Sequence, residues 1–113
     1  MKKVNEKRIY ISDADLSGYE DVKSFIGTCL AKSCAKDEVI LMCFRGDEHN
    51  AVAKKYAAEN GLKVEFLPEL TEKCKFAENC DLLLLIRGED DQEINELISY
   101  ALMHKIPFYV RTA

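Results

Sequence analysis

A five-stranded parallel α/β sandwich is the fold this chain predicts, and three observations carry it. Two runs are apolar at every position, Val39-Ile40-Leu41-Met42-Cys43-Phe44 and Leu82-Leu83-Leu84-Leu85-Ile86. A strand without a polar face has to be buried on both sides, as in a parallel sheet covered by helices. Each run then passes through Arg-Gly-acid-acid into a helical segment, at Arg45-Gly46-Asp47-Glu48 and again at Arg87-Gly88-Glu89-Asp90. Strand and helix patterns alternate along the whole chain with no linker, low-complexity tract or long repeat, which implies three layers joined by right-handed crossovers.

Taken in order, residues 1–7 form a polar lead and residues 8–12 the first strand. Residues 21–35 follow as a helix, with Val22, Phe25, Ile26, Cys29, Leu30 and Ser33 on one stripe, the i, i+3, i+4 pattern of a helix lying on a sheet. Residues 39–44 are the second strand. The helix from Ala51 ends at Asn60-Gly61, a left-handed stop signal. Residues 63–67 are the third strand, closed by Pro68, and its alternation of Val64 and Phe66 with Lys63 and Glu65 suits an edge position. Residues 69–80 are about the minimum for a parallel crossover and predict a short helix. Residues 81–87 are the fourth strand. Ile94, Leu97, Ile98, Ala101 and Leu102 make the cleanest helical stripe, and Pro107 opens a fifth strand over 108–111.

A chain of 113 residues supports one core and not two, so residues 1–113 are read as a single domain. With 48% apolar and 32% charged residues the composition is that of a globular protein. A net charge of -4 with scattered lysines leaves no basic footprint for nucleic acid. Met1-Lys2-Lys3 is not followed by an apolar signal core, and the longest apolar run is too short for a bilayer. A cytoplasmic, soluble protein is expected, with no membrane partner. The five cysteines contain no C-x-x-C pair and should stay reduced. Cys29 and Cys43 fall on core positions, whereas Cys74 and Cys80 are expected to be exposed. Neither a cofactor nor a metal is implied.

In a parallel sheet the loops at the carboxyl ends of the strands line the ligand crevice. Those loops carry Asp13 and Asp15, then Asp47 and Glu48, then Glu89, Asp90 and Asp91. Such an acidic mouth disfavours a bare polyphosphate, which needs free backbone N–H groups without a competing anion. Acids in a helix's first turn also have a simpler role, complementing its dipole. Arg45 and Arg87 are the exceptions, one beyond each apolar strand. They either bridge neighbouring acids or clamp an anionic ligand between two guanidinium forks. Gly46 and Gly88 suit turns that require positive φ. His49 stands at the mouth as an acid or base, but no serine or cysteine beside it in sequence marks a dyad. His104 suits the end of its helix as a dipole partner. A metal would need Asp13, Asp15 and Asp47 on neighbouring strands. A receiver domain, with its phosphorylatable Asp ending strand three and Lys ending strand five, is rejected because those strands end Phe66-Leu67-Pro68 and Val110-Arg111-Thr112.

The segment Val52-Ala53-Lys54-Lys55-Tyr56-Ala57-Ala58-Glu59-Asn60-Gly61, with its following strand ending Phe66-Leu67-Pro68, resembles the YspA/YpsA-related branch of the SLOG superfamily. That branch reads L-A-x-x-Y-A-x-x-x-G and then a strand ending F-P. The resemblance continues through Cys80-Asp81-Leu82-Leu83-Leu84 and from Ile98 through Ala101 to Pro107. It implies a Rossmann-like fold with sheet order 3-2-1-4-5 in preference to 2-1-3-4-5, and a nucleotide-related ligand. The departures fall on the phosphate grips. The family's glycine-rich cradle lies on Phe44-Arg45-Gly46-Asp47-Glu48-His49-Asn50, its G-T pair falls on Glu93-Ile94, and its G-x-x-R-N segment has no counterpart before Cys80. The expectation is a degenerate, non-catalytic SLOG-type domain. Its small anionic ligand would meet Ser12, Asp13, Asp15, Arg45, Gly46, Asp47, His49, Asn50, Arg87, Gly88 and Glu89. The alternatives are a homodimerising interaction module without a ligand and, as in some SLOG relatives, an N-glycosidic hydrolase acting on nucleotides or nucleosides.

Overall fold

A computed structural model describes residues 5–14, 16–46, 49–67, 74–88 and 91–112. Its strands β1 (Glu6–Ile11), β2 (Glu38–Cys43), β3 (Lys63–Phe66), β4 (Leu82–Arg87) and β5 (Phe108–Thr112) pair in parallel throughout. Their spatial order is β3-β2-β1-β4-β5. The order and the three-layer Rossmann-like architecture are those expected. Helices α1 (Tyr19–Ser33), α2 (Ala51–Asn60) and α3 (Gln92–Met103) cover the sheet, with short 3-10 turns at Leu16–Gly18 and Lys75–Asn79.

Period-two alternation along the central strands divides the apolar residues into two cores. Ile9, Ile11, Leu41, Cys43, Leu82, Leu84 and Ile86 face α1 and α2, where Val22, Ile26, Val52, Ala53 and Tyr56 meet them. Tyr10, Ile40, Met42, Leu83 and Leu85 face the opposite way, onto Ile94, Leu97 and Ala101 of α3 and Ala77 of the second 3-10 turn. Both faces of β1, β2 and β4 are therefore covered, which is why those strands can be apolar at consecutive positions. Polar ties fix the helices to one another. The Tyr19 hydroxyl at the start of α1 donates to Glu59 near the end of α2 at 2.6 Å, and the Lys55 ammonium lies 4.3 Å from the centre of the Tyr19 ring. Among the described residues no helix is long and apolar enough to cross a membrane.

Five expectations are corrected. The fourth helix is, in its described part, only a 3-10 turn closed by Ala77 N–H to Cys74 C=O at 3.0 Å and Cys80 N–H to Ala77 C=O at 3.1 Å; residues 68–73 lie outside the described set. The link has to pass from β3 across β2 and β1 to β4, about 14 Å at ~4.8 Å per strand, and a short link leaves little chain for a regular helix. Leu102 is 66% exposed, because 100° per residue carries it about 80° round α3 from Ile94, off the buried stripe. Ser33 of the α1 stripe is exposed and its hydroxyl lies 3.1 Å from that of Tyr109. Cys80 is buried beneath the 3-10 turn, its Sγ 3.8 Å from the Phe76 carbonyl, and burial pushes its thiol up to about 12. Cys74 is partly exposed. Phe66, expected to share a buried face with Val64, is 47% exposed at the tip of the edge strand.

The chain winds β1-α1-β2-α2-β3 outward in one direction and then returns to build β4-α3-β5 in the other. Strand order thus reverses between β1 and β4. In open α/β sheets that point opens a crevice at the carboxyl ends of the strands.

Candidate functional site

At the tip of β1 the polar residues divide into those that hold the frame and those that face a cavity. Ser12 is buried. Its N–H donates to the Leu84 carbonyl at 3.0 Å, and its hydroxyl accepts from the Ile86 N–H at 2.8 Å. The side chain therefore stands in for backbone where the β1–β4 ladder runs out. Asn50, 1% exposed, makes the matching tie between β1 and β2. Its Oδ1 accepts from the Phe44 N–H at 2.8 Å and its Nδ2 donates to the Ile11 carbonyl at 3.1 Å. It sits in the left-handed region at φ 56°, which asparagine tolerates better than most residues. Its own N–H donates to Asp13 Oδ1 at 2.5 Å. Asp13 Oδ2 lies 3.8 Å from His49 Nδ1.

The two arginines, expected either to bridge neighbouring acids or to clamp an anion together, make separate contacts. The Arg45 guanidinium lies 4.9 Å from the centre of the Phe66 ring on β3, and Arg45 lines a hollow with Phe44, His49 and Leu67. Arg87 Nη1 donates to Asn95 Oδ1 on α3 at 3.2 Å. Gly46 takes φ 114°, and its carbonyl accepts from Lys54 Nζ at 2.8 Å and from the His49 N–H at 3.2 Å. Gly88 donates its N–H to Asp91 Oδ2 at 3.4 Å, while Asp91 Oδ1 caps α3 by accepting from the Ile94 N–H at 3.2 Å. Asp15, Asp47 and Glu89 fall outside the described residues.

Two cavities flank Asp13 on opposite faces of the sheet. The larger, about 490 Å³, opens at the reversal point between β1 and β4 on the α1 side. Ser17, Gly18 and Asp21 bring the start of α1 to it, Gly88 and Asp91 bring the start of α3, and Ile86 and Val22 supply an apolar floor. Among the described residues lining it, Arg111, on β5, is the one basic residue. The residues picked out from sequence omit Arg111, although a signal existed. Parallel register sets Arg111 opposite Ile86, so once β5 is placed beside β4, strand parity turns Arg111 to the α1 face. α1 begins with no side-chain cap at Gly18, so its first N–H groups add a partial positive charge at the rim. Glu20 and Asp21 in the same turn offset it.

The smaller cavity, about 250 Å³, lies on the α3 side and is walled by Tyr10, Phe44, Phe76 and His49, with Asp13 and Glu93 at its edge. Ring centres of Tyr10 and Phe76 are 4.7 Å apart, and those of Phe44 and Phe76 4.9 Å in an edge-to-face contact. Burial, with the Asp13 charge adding to it, raises the Tyr10 hydroxyl well above the ordinary phenol range. Among the described residues no group of three or more His, Cys, Asp or Glu is placed to hold a metal ion.

Fold and crevice together define a doubly wound, Rossmann-like α/β domain with a cavity of about 490 Å³ at its strand-order reversal. Comparison with protein-family models and with curated proteins finds no match to the chain.

Proposed function

We propose that this chain is a non-catalytic binding domain for a small anionic, nucleotide-related ligand held in the crevice between β1 and β4. The observation that carries the reading is the cavity itself: about 490 Å³, within the ~300–1,000 Å³ of small-molecule sites, at the reversal point where α/β sheets receive ligands. Its lining matches that chemistry in parts. Ile86, Val22 and Ala14 offer apolar contact to a base or ring, and the carboxylates of Asp13 and Asp21 accept from ribose hydroxyls or exocyclic amines. The Arg111 guanidinium answers one phosphate or carboxylate. With a single arginine amid acids among its described residues, the site favours a monophosphate over a triphosphate. A degenerate SLOG-type domain is the family reading consistent with this chemistry.

Thermal unfolding against nucleoside monophosphates, ADP-ribose and NAD tests it. A ligand at a hundredfold over its Kd adds about 2.7 kcal/mol through linkage, about 10 °C in the melting temperature of a domain of this size. Arg111→Ala should remove the shift. A flat response across the panel with the wild-type protein overturns the reading. The second reading, a self-associating module, draws on exposed Leu102 and Met103 at the end of α3; a concentration-independent dimer by light scattering together with that flat response would favour it.

A further inference from the structure

We infer that the smaller cavity is a second binding site, and that its ligand is a small organic cation such as a quaternary ammonium. It lies across the sheet from the β1–β4 crevice, and the inference stands whether or not that crevice takes a nucleotide. Three observations point to a cation. Tyr10, Phe44 and Phe76 pack on one another with ring centres 4.7 to 5.9 Å apart and all three line the space, and ring faces attract cations through their quadrupoles. Among the described lining residues are two carboxylates, Asp13 and Glu93, and no lysine or arginine. Ile94 and Leu97 close the apolar side, so a charge entering the cavity leaves water for a setting in which ring and carboxylate attraction are strengthened.

The rings also explain why this is a cavity and not packed core. Phe44 and Phe76 are only partly buried and meet edge to face, an arrangement that leaves part of a ring face uncovered by its neighbour. Glu93 is exposed in the first turn of α3, at the rim, where it can meet the cation's charge without the cost of a buried carboxylate. A neutral apolar guest would gain the ring contacts and nothing from Asp13 or Glu93. An anion would be repelled by both.

The test is a titration of the full chain followed by the aromatic proton resonances of Tyr10, Phe44 and Phe76. Tetramethylammonium and choline are the probes, and 3,3-dimethylbutan-1-ol, the uncharged isostere of choline, is the control. Saturable shifts of those ring resonances are expected with both cations, with the alcohol at least about tenfold weaker. Glu93→Gln, an exposed first-turn change that should cost the fold no more than a fraction of its stability, should weaken choline binding severalfold. Phe76→Leu should weaken it about tenfold, and its unfolding midpoint is read alongside to separate a lost ring from a lost fold. Arg111→Ala, which probes the other cavity, should leave choline binding unchanged. Equal response to alcohol and cation would show a plain apolar void and overturn the inference. So would the absence of saturable shifts in the wild-type protein, or unaltered choline affinity in folded Glu93→Gln and Phe76→Leu.

Discussion

The junctions after β2 and after β4 are written in the same letters and built in different ways. Both read Arg-Gly-acid-acid before a helix. After β2 the arginine turns outward onto Phe66 of the edge strand, Gly46 adopts φ 114°, and the helix is entered through a left-handed Asn50 that caps no N–H of α2 with its side chain. After β4 the arginine reaches along its own helix to Asn95, Gly88 is absent from the positive-φ residues, and Asp91 caps α3. The difference comes from the neighbours. β2 has to be tied to β1, and Asn50 supplies that tie, whereas Ser12 already ties β1 to β4 and leaves the second junction free to cap its helix. A local repeat fixes which residues are available; the strands alongside fix what each one touches.

Asn50 should therefore be the costliest residue to lose. Asn50→Ala strips partners from the Phe44 N–H and the Ile11 carbonyl, about 1–3 kcal/mol for each buried group left unpaired, and places alanine in a left-handed conformation at a further ~1–2 kcal/mol. A loss of roughly 3–8 kcal/mol in urea unfolding is expected. Asn50→Gly should recover the conformational part only. The equivalent cut at the other junction, Asp91→Ala, should cost about 1 kcal/mol, the ordinary worth of an N-cap. Equal losses at Asn50 and Asp91 would break the contrast.

The glycines sharpen the same comparison. Gly46→Ala forces an L side chain to φ 114° and should cost about 1–3 kcal/mol. Gly88→Ala meets no atom of the described residues within 4 Å of the added Cβ and should stay within about 0.5 kcal/mol of wild type.

Alkali probes the interior below both junctions, since Cys43 ends β2 and Cys80 precedes β4. Burial pushes the Cys43 thiol up to about 11 and the Cys80 thiol up to about 12, from an ordinary value of 9.0. The sign follows from proton counting. Above pH 9 the unfolded chain has lost thiol protons that the folded chain retains, so stability falls as pH rises, from about 9 to about 11–12. Urea midpoints at pH 8 and pH 10.5 should show the decline, and Cys80→Ala should make it shallower than in wild type. A midpoint that does not move over this interval would contradict the burial of both thiols.

The fold was legible in the residues to a large degree, because burial on both faces writes itself into consecutive apolar letters at β2 and β4, and because Asn60-Gly61 marks a helix end that the structure makes with φ 63° at Gly61. The preference for the observed strand order came from the resemblance to a family and not from periodicity, which is blind to which strands are neighbours. The frame of the candidate site was less legible. Ser12 and Asn50 are polar residues at strand tips, and nothing in their letters distinguishes a side chain that awaits a ligand from one that completes a backbone ladder. Arg111 went unnoticed for the reverse reason: the face it occupies depends on its register with β4, a fact held by another segment of the chain.

The smallest expected effect is also the one that decides between the two arrangements of positive charge. Arg45 and Arg87 make exposed or partly exposed contacts with Phe66 and Asn95, and surface contacts of this kind are worth up to about 1 kcal/mol. The double variant Arg45→Ala with Arg87→Ala should thus unfold close to wild type. With the crevice as the ligand site, its melting response to nucleoside monophosphates should also be retained, because neither guanidinium lines that cavity while Arg111 does. A double variant that loses the response while Arg111→Ala keeps it would move the anion site away from the crevice and back to a clamp formed by the two junctions.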